Sequence, residues 1–305
     1  MEWEANLIEW LQKYVSNVQN TEGFAKFFDF FGAETGLLMV VLIVMFCWKK
    51  TAGQRLALIV ACVNMWLPMI KSVVLRLRPY MEHPDKVRAL ALSDEGAETM
   101  DVVAQGYSFP SIYSASVPAL YFALANEVKK KWLWILAGIM TVVVGFSRVV
   151  AGMHYPTDVL AGWALGFAVI GVFALLDHYI KKEWAIHLIL LISAIPGLFY
   201  VRTTDYFTAL GCLIGAIAAI WFERKYVNYE DTRRFPAMLL RVIGAILIYL
   251  VVNTLLKLPF DKEFLAGTSI AAFLIRTARY AIIMFLILGV YPMMFPLFER
   301  VGKKA

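Results

Sequence analysis

Apolar residues run along this chain in blocks of about 20, the length a helix needs to cross the hydrocarbon core of a bilayer. Nine such blocks, at roughly 27–48, 54–77, 110–126, 132–150, 157–180, 184–201, 205–223, 236–257 and 271–298, predict about nine transmembrane helices. Ahead of them, Glu4 to Val18 mixes Leu7, Ile8, Trp10, Leu11, Tyr14 and Val15 with charges. That spacing predicts an amphipathic helix lying on the membrane surface. The segment lacks the basic stretch and long apolar core of a signal peptide, so the first span is expected to target the chain. The expected fold is all-α: a polytopic membrane helix bundle with an N-terminal amphipathic helix and no soluble domain.

Composition agrees. Of 305 residues, 61% are hydrophobic and 17% charged, against about 45–50% and about 25% in soluble domains. Mean hydropathy is +0.67. A disordered chain, a coiled coil, a collagen-like chain and an ordinary soluble enzyme are excluded. The net charge of +6 would raise the question of nucleic acid in a soluble protein. Here the basic residues fall in short loops, which makes them a topology signal, and no nucleic-acid partner is expected. Lys49, Lys50 and Arg55, Lys129 to Lys131, Lys181 and Lys182, Arg224, Lys225, Arg233 and Arg234, and Arg300, Lys303 and Lys304 share one side of a nine-helix zigzag. The long connection 80–108 lies on the other side and carries Glu82, Asp85, Asp94, Glu95, Glu98 and Asp101. The basic side is therefore expected to be cytosolic, with the C-terminus, and the N-terminus and the 80–108 loop to face outward. Cys47, Cys62 and Cys212 are far apart in apolar runs and suggest neither a disulfide framework nor a metal site.

Ionisable residues near a membrane interior are costly and mark sites by default. Three groups fall at the outward ends of spans. In the first, Lys71 and Arg78 are seven residues apart, which on a helix is one face, with Pro79 ending that helix. Two long cations there either grip a multiply charged anion, snorkel to the interface or pair with the acidic loop. Arg76 lies off that face and reads as a snorkelling residue. The second group, Ser108-Phe-Pro-Ser111-Ile-Tyr113, opens the third span with Ser111 as N-cap. Its first-turn N–H groups serve either an ordinary cap or a phosphate. The third runs from Ser147 and Arg148 to His154 and Asp158. Pro156 argues against one continuous helix, so His154 is expected on a loop and Asp158 in the first turn of the next helix. A carboxylate bonded to one imidazole nitrogen would leave the other as nucleophile or base.

In this order and on one membrane face, the three groups resemble the signature of the type-2 phosphatidic acid phosphatase (PAP2) superfamily, K-x6-RP, PSGH and SR-x5-H-x3-D. The first and third match at Lys71, Arg78, Pro79, Ser147, Arg148, His154 and Asp158. The likeness to the catalytic core covers about residues 25–180, and the spans around Leu239–Gly244 and Arg279-Tyr280 are similar to the tail of sphingosine-1-phosphate phosphatases. The second motif departs: Ile112 stands for the Gly, and Tyr113 for the His expected as general acid. The resemblance implies a lipid phosphate phosphatase acting through a phosphohistidine. His154 would be the nucleophile, Asp158 would orient it, and Tyr113 is the one candidate proton donor at its position. Lys71, Arg78, Arg148 and the backbone near Ser111 would bind phosphate, with no metal and no cofactor. The substrate would enter from the membrane lipids, and no protein partner is implied.

The expected organisation is an interfacial helix over 1–22, a five-span core over 23–182 with the outer loop 80–108 supplying headgroup selectivity, and a four-span extension over 183–305. Three other readings stay open. They are a pseudoenzyme that binds lipid phosphate, a phosphotransferase on the same scaffold, and a transporter using the extra spans.

Overall fold

The computed structural model of the protein describes residues 2–15, 21–93 and 96–300, with the side chains of 21, 22 and 24–26 outside the description. Asp94, Glu95, Lys303, Lys304 and the expected helix end at Val18 lie outside the described residues. Every regular element among the described residues is helical: α1 (Glu2–Val15), α2 (Thr21–Gly32), α3 (Glu34–Cys47), α4 (Lys50–Val74), α5 (Pro79–Glu82), α6 (Val102–Gln105), α7 (Ile112–Val128), α8 (Lys131–Val150), α9 (Pro156–Tyr179), α10 (Glu183–Tyr200), α11 (Thr204–Phe222), α12 (Phe235–Leu255), α13 (Lys262–Ala266), α14 (Ile270–Phe285) and α15 (Phe295–Phe298). The protein is an all-α, multi-pass membrane helix bundle.

Seven stretches among the described residues are long and apolar enough to span a bilayer: Lys50–Glu82, which is broken at 75–78, Lys131–Val150, Pro156–Tyr179, Glu183–Tyr200, Thr204–Val227, Phe235–Leu255 and Ile270–Phe298. The other two expected spans take other forms. The block at 27–48 is interrupted at Ala33, between α2 and α3, and α7 is 17 residues long.

The chain forms two compact units, one of residues 1–37 and 66–179, the other of 38–65 and 180–305. In the first, α7 packs against α8 and α9, and α2 against α8. Close approach is possible because Gly162 and Gly166 of α9 meet the backbone of Ser111 and Ala115. α1 has two faces. Ala5 and Ile8 join a buried cluster with Tyr80, Val87, Met153 and Tyr155, while Trp3, Trp10 and Tyr14 remain exposed. The amphipathic pattern of α1 therefore serves a protein core as well as an exposed aromatic side.

The second unit is centred on α11 against α14, where Gly211 and Gly215 lie on Thr277 and Ala281 and the rings of Phe207 and Phe273 stack at 4.3 Å. Small residues let membrane helices approach closely. At the basic-loop end of this unit, buried Glu223 accepts from Lys50 Nζ (2.9 Å), Gln54 Nε2 (3.2 Å) and the Tyr229 N–H (3.1 Å). The Arg241 guanidinium lies 4.3 Å over the Phe295 ring and donates to Glu299 at 3.0 Å.

Candidate active site

Helix α4 stops at Val74 because Leu75 takes a left-handed φ of 54°. Residues 75–78 are non-helical, and Arg78 is extended (φ −73°, ψ 152°) as the residue before a proline prefers. Pro79 then opens α5 instead of closing α4. Lys71 and Arg78 therefore do not share a helix face, which corrects the expectation from their spacing. They nevertheless reach one place by different routes. Lys71 Nζ donates to the carbonyls of Tyr107 (2.6 Å) and Ser108 (3.2 Å). Arg78 donates to the carbonyls of Gln105, Gly106 and Met153 and to Ser93 Oγ, and so ties the outer connection to the His154 loop.

That loop, 151–155, turns sharply after α8. Gly152 has φ 73°, and a Cβ there would meet the Arg88 carbonyl at 2.3 Å, so the turn requires glycine. His154 sits on the loop and Asp158 in the first turn of α9, as Pro156 implied. The link between them differs from the expectation. His154 Nδ1 is 3.7 Å from Asp158 Oδ2, beyond direct hydrogen bonding. Ser108 Oγ lies between, 3.5 Å from Nδ1 and in a short hydrogen bond to the same carboxylate oxygen. Asp158 Oδ2 also accepts the Tyr155 N–H at 2.8 Å.

Arg76 is the largest correction. It does not snorkel. Its Nη1 donates to Asp158 Oδ1 and Thr157 Oγ1, both at 2.8 Å, its Nη2 donates to Glu4 Oε2 at 2.8 Å, and its guanidinium stacks 3.8 Å over the Tyr155 ring. Glu4, fully buried, also accepts from Thr157 N (3.1 Å) and Thr157 Oγ1 (2.7 Å). The N-terminal helix thus braces the start of α9.

Ser111 caps α7, its Oγ accepting from Ser114 N at 3.3 Å and Ser114 Oγ at 2.9 Å. Its own N–H donates to the Asp158 carbonyl at 3.1 Å, so this N–H joins two helix starts and is not a free anion donor. Arg148 lies apart from those contacts. Its Nη1 pairs with Asp29 at 2.7 Å, Ser147 Oγ donates to the same carboxylate at 3.2 Å, and its guanidinium lies 4.7 Å over the Tyr113 ring. Arg148 reaches the His154 loop through its carbonyl, which accepts the N–H groups of Met153 and His154.

Burial pushes the His154 pKa down to about 3. The Asp158 carboxylate opposes this, and Lys71 and Arg78 add to it. The imidazole is therefore neutral near pH 7, with Nδ1 turned to Ser108 and Asp158. A neutral ring held at Nδ1 presents Nε2 as a nucleophile or base.

Sequence reasoning missed Ser108, Arg76, Glu4 and Asp29 as parts of this assembly. Asp29 carried a readable signal, a carboxylate within Phe-Phe-Asp-Phe-Phe. Glu4 carried none, because its partner is 153 residues away along the chain, and Ser108, although it opens the second group, had nothing to mark Asp158, 50 residues on, as its partner.

Residues 52–182 match the PAP2 superfamily, and residues 207–303 match the transmembrane extension of PAP2 superfamily phosphatases. The chain is 30% identical over 164 residues to the phosphatidylglycerophosphatase B of Bacillus subtilis, covering 50% of this chain and 72% of that protein. It is 45% identical over 62 residues to an undecaprenyl-diphosphatase of Sulfolobus acidocaldarius, and 33% identical over 61 residues to a lipid A 4'-phosphatase of Bacteroides thetaiotaomicron. Each match covers 20% of this chain, and it spans 29% and 27% of those two proteins. No solved structure matches significantly. The chain belongs to the PAP2 superfamily, as a membrane-embedded member.

Two outcomes follow from the geometry. In NMR of ring-labelled protein, the His154 signal, assigned by its loss in His154→Gln, should stay in the neutral form as pH falls through 6.5, because its folded pKa is depressed. Titration near 6.5 would contradict the burial described. Glu4→Ala and Arg76→Met should each lower stability by about 3–5 kcal/mol by leaving a buried charge without its partner. The double variant should lose less than the sum, since both belong to one network. Additive losses in thermal unfolding would separate them.

Proposed function

We propose that the protein is an integral-membrane lipid phosphate phosphatase that works through a phosphohistidine. The carrying observation is the buried, neutral His154, with Nδ1 turned to Ser108 and Asp158 and the cations Lys71 and Arg78 beside it. In this reading Nε2 attacks phosphorus while the bond to the lipid alcohol breaks. The ring gains positive charge, which the Asp158 carboxylate stabilises across Ser108, so this interaction strengthens as the reaction proceeds. Lys71, Arg78 and Arg148 meet the charge on the phosphoryl oxygens, with Arg148 exchanging Asp29 for substrate. Water then attacks the phosphohistidine, loses a proton and releases phosphate.

The leaving alcohol needs a proton, and Tyr113 stands where the family has His. A neutral phenol donates in the first step but serves poorly as base in the second. General acid–base help is typically worth about 10²–10⁴-fold, so we expect slow dephosphorylation. The Tyr113 ring beneath Arg148 favours a second reading, in which Tyr113 only positions that cation and the chain is an impaired lipid-phosphate-binding protein or a phosphotransferase. The family relatives named for phosphatidylglycerophosphate, undecaprenyl diphosphate and lipid A widen the substrate panel, beside phosphatidate, lysophosphatidate and sphingoid-base phosphates. We further assign nine spans, a site on the non-cytosolic face and a cytosolic C-terminus, on the loop charge pattern.

Phosphate release from that panel tests the function. The expected result is slow release with trapped phosphohistidine, both abolished by His154→Asn. Tyr113→His with Ile112→Gly should speed release and deplete the intermediate. Tyr113→Phe, which keeps the ring under Arg148, should slow release further if the hydroxyl donates and leave it unchanged if the ring only positions. No release and no phosphohistidine in any form would sink the enzyme reading, and transfer to a lipid acceptor would make it a transferase. Topology is checked separately. A cysteine at Glu98 should react with an impermeant reagent from the non-cytosolic side and one at Lys130 should not. The reverse pattern would invert the assignment.

A further inference from the structure

Helix α14 carries two arginines, Arg276 and Arg279, in an otherwise apolar sequence. Three residues apart, they lie on neighbouring positions of one side of the helix. Arg276 Nη2 donates to the Leu265 carbonyl of α13 at 3.0 Å. Arg279 is only 4% exposed, yet its Nε and Nη1 are buried without a hydrogen-bond partner. Its guanidinium lies 5.1 Å from the Tyr280 ring centre. Lys257 lies in the turn after α12 ends, and its ammonium pKa is lowered first by partial burial and then by repulsion from Arg279 and Arg276.

A buried guanidinium with two unmet donors is costly, more so inside a membrane helix. Such a group is tolerable when an anion completes it, and the planar fork matches phosphate oxygens. Arg279 is the tenth residue of α14, roughly 14 Å along the helix from its start. Ile282 (44% exposed), three residues on and on the same side of α14, presents apolar surface. An anion that reaches this depth beside such surface suits a headgroup carrying its own hydrocarbon better than a free ion.

We propose that Arg276 and Arg279 form a binding site for the phosphate of an anionic lipid headgroup in the second unit. Neither residue belongs to the His154 assembly, and the site stands whether or not the chain hydrolyses phosphate esters. Asp261 and Glu263, on the connection between α12 and α14, are the carboxylates that would compete as an internal partner.

The test uses the full chain in phosphatidylcholine nanodiscs, with phosphatidylglycerol or inorganic phosphate added, reading thermal unfolding and lipid retained in native mass spectrometry. Phosphatidylglycerol should raise the unfolding midpoint and stay bound, and inorganic phosphate should do neither. Arg279→Met should weaken phosphatidylglycerol binding by about tenfold to a hundredfold, the loss expected for a charged hydrogen bond. It should also be at least as stable as the parent in phosphatidylcholine alone, since an unpaired charge is removed. His154→Asn should keep the full response. A response that survives Arg279→Met, or that inorganic phosphate reproduces, would overturn the proposal. So would an Arg279→Met chain that is less stable in phosphatidylcholine alone, which would show that Arg279 has an internal partner.

Discussion

One buried carboxylate, that of Asp158, holds the first unit's site together. It accepts from Ser108 Oγ, from the Tyr155 N–H and from Arg76 Nη1, and it lies 3.7 Å from His154 Nδ1. Those partners come from the connection before α7, the loop after α8, and the extended stretch after α4. An ionised group with no exposed surface is stable only when paired and hydrogen-bonded. Each strand of this web is therefore a condition on where its segment must lie. Through Arg76 the condition extends to Glu4 and α1, and through the Asp158 carbonyl to the cap of α7.

The chemistry follows from that constraint. Burial keeps His154 uncharged, and the Ser108–Asp158 pair sets which nitrogen faces inward. Arg78 spends its donors on carbonyls of the outer connection and of Met153, so it positions the connection and charges the site at once. Arg148 rests on Asp29, with the Tyr113 ring beneath it. A carboxylate against a phosphate-matching guanidinium occupies the place that a substrate oxygen would take in the proposed reaction.

Polar groups within the apolar helices repeat the same logic in the second unit. Glu223 is bonded by Lys50, Gln54 and Tyr229, and Arg241 by Glu299 and backbone carbonyls. Glu223 is fully met, while Arg241 keeps one unmet nitrogen, Nε, beside the bonds that both its Nη groups make. Arg279 differs because two of its nitrogens remain unmet, and it is this difference, not charge alone, that singles it out.

The helical class and the membrane setting were legible from hydropathy, because crossing a bilayer demands long apolar runs whatever they pack against. Motif spacing, with the family likeness, also brought Lys71, Arg78, Arg148, His154 and Asp158 to attention, and Pro156 correctly put His154 on a loop. Spacing misled where a local break intervened. Lys71 and Arg78 share no helix face, since Leu75 leaves the helical region three residues after Ser72 and pre-proline sterics extend Arg78. Arg76 was read as a surface cation because nothing nearby in sequence reveals Glu4 or Asp158 as its partners. Such long-range pairing is decided only when the chain closes on itself, since a buried charge takes whichever opposite charge the packing brings within reach. The sequence by itself determined what kinds of groups had to be buried, and the tertiary structure alone decided which of them meet.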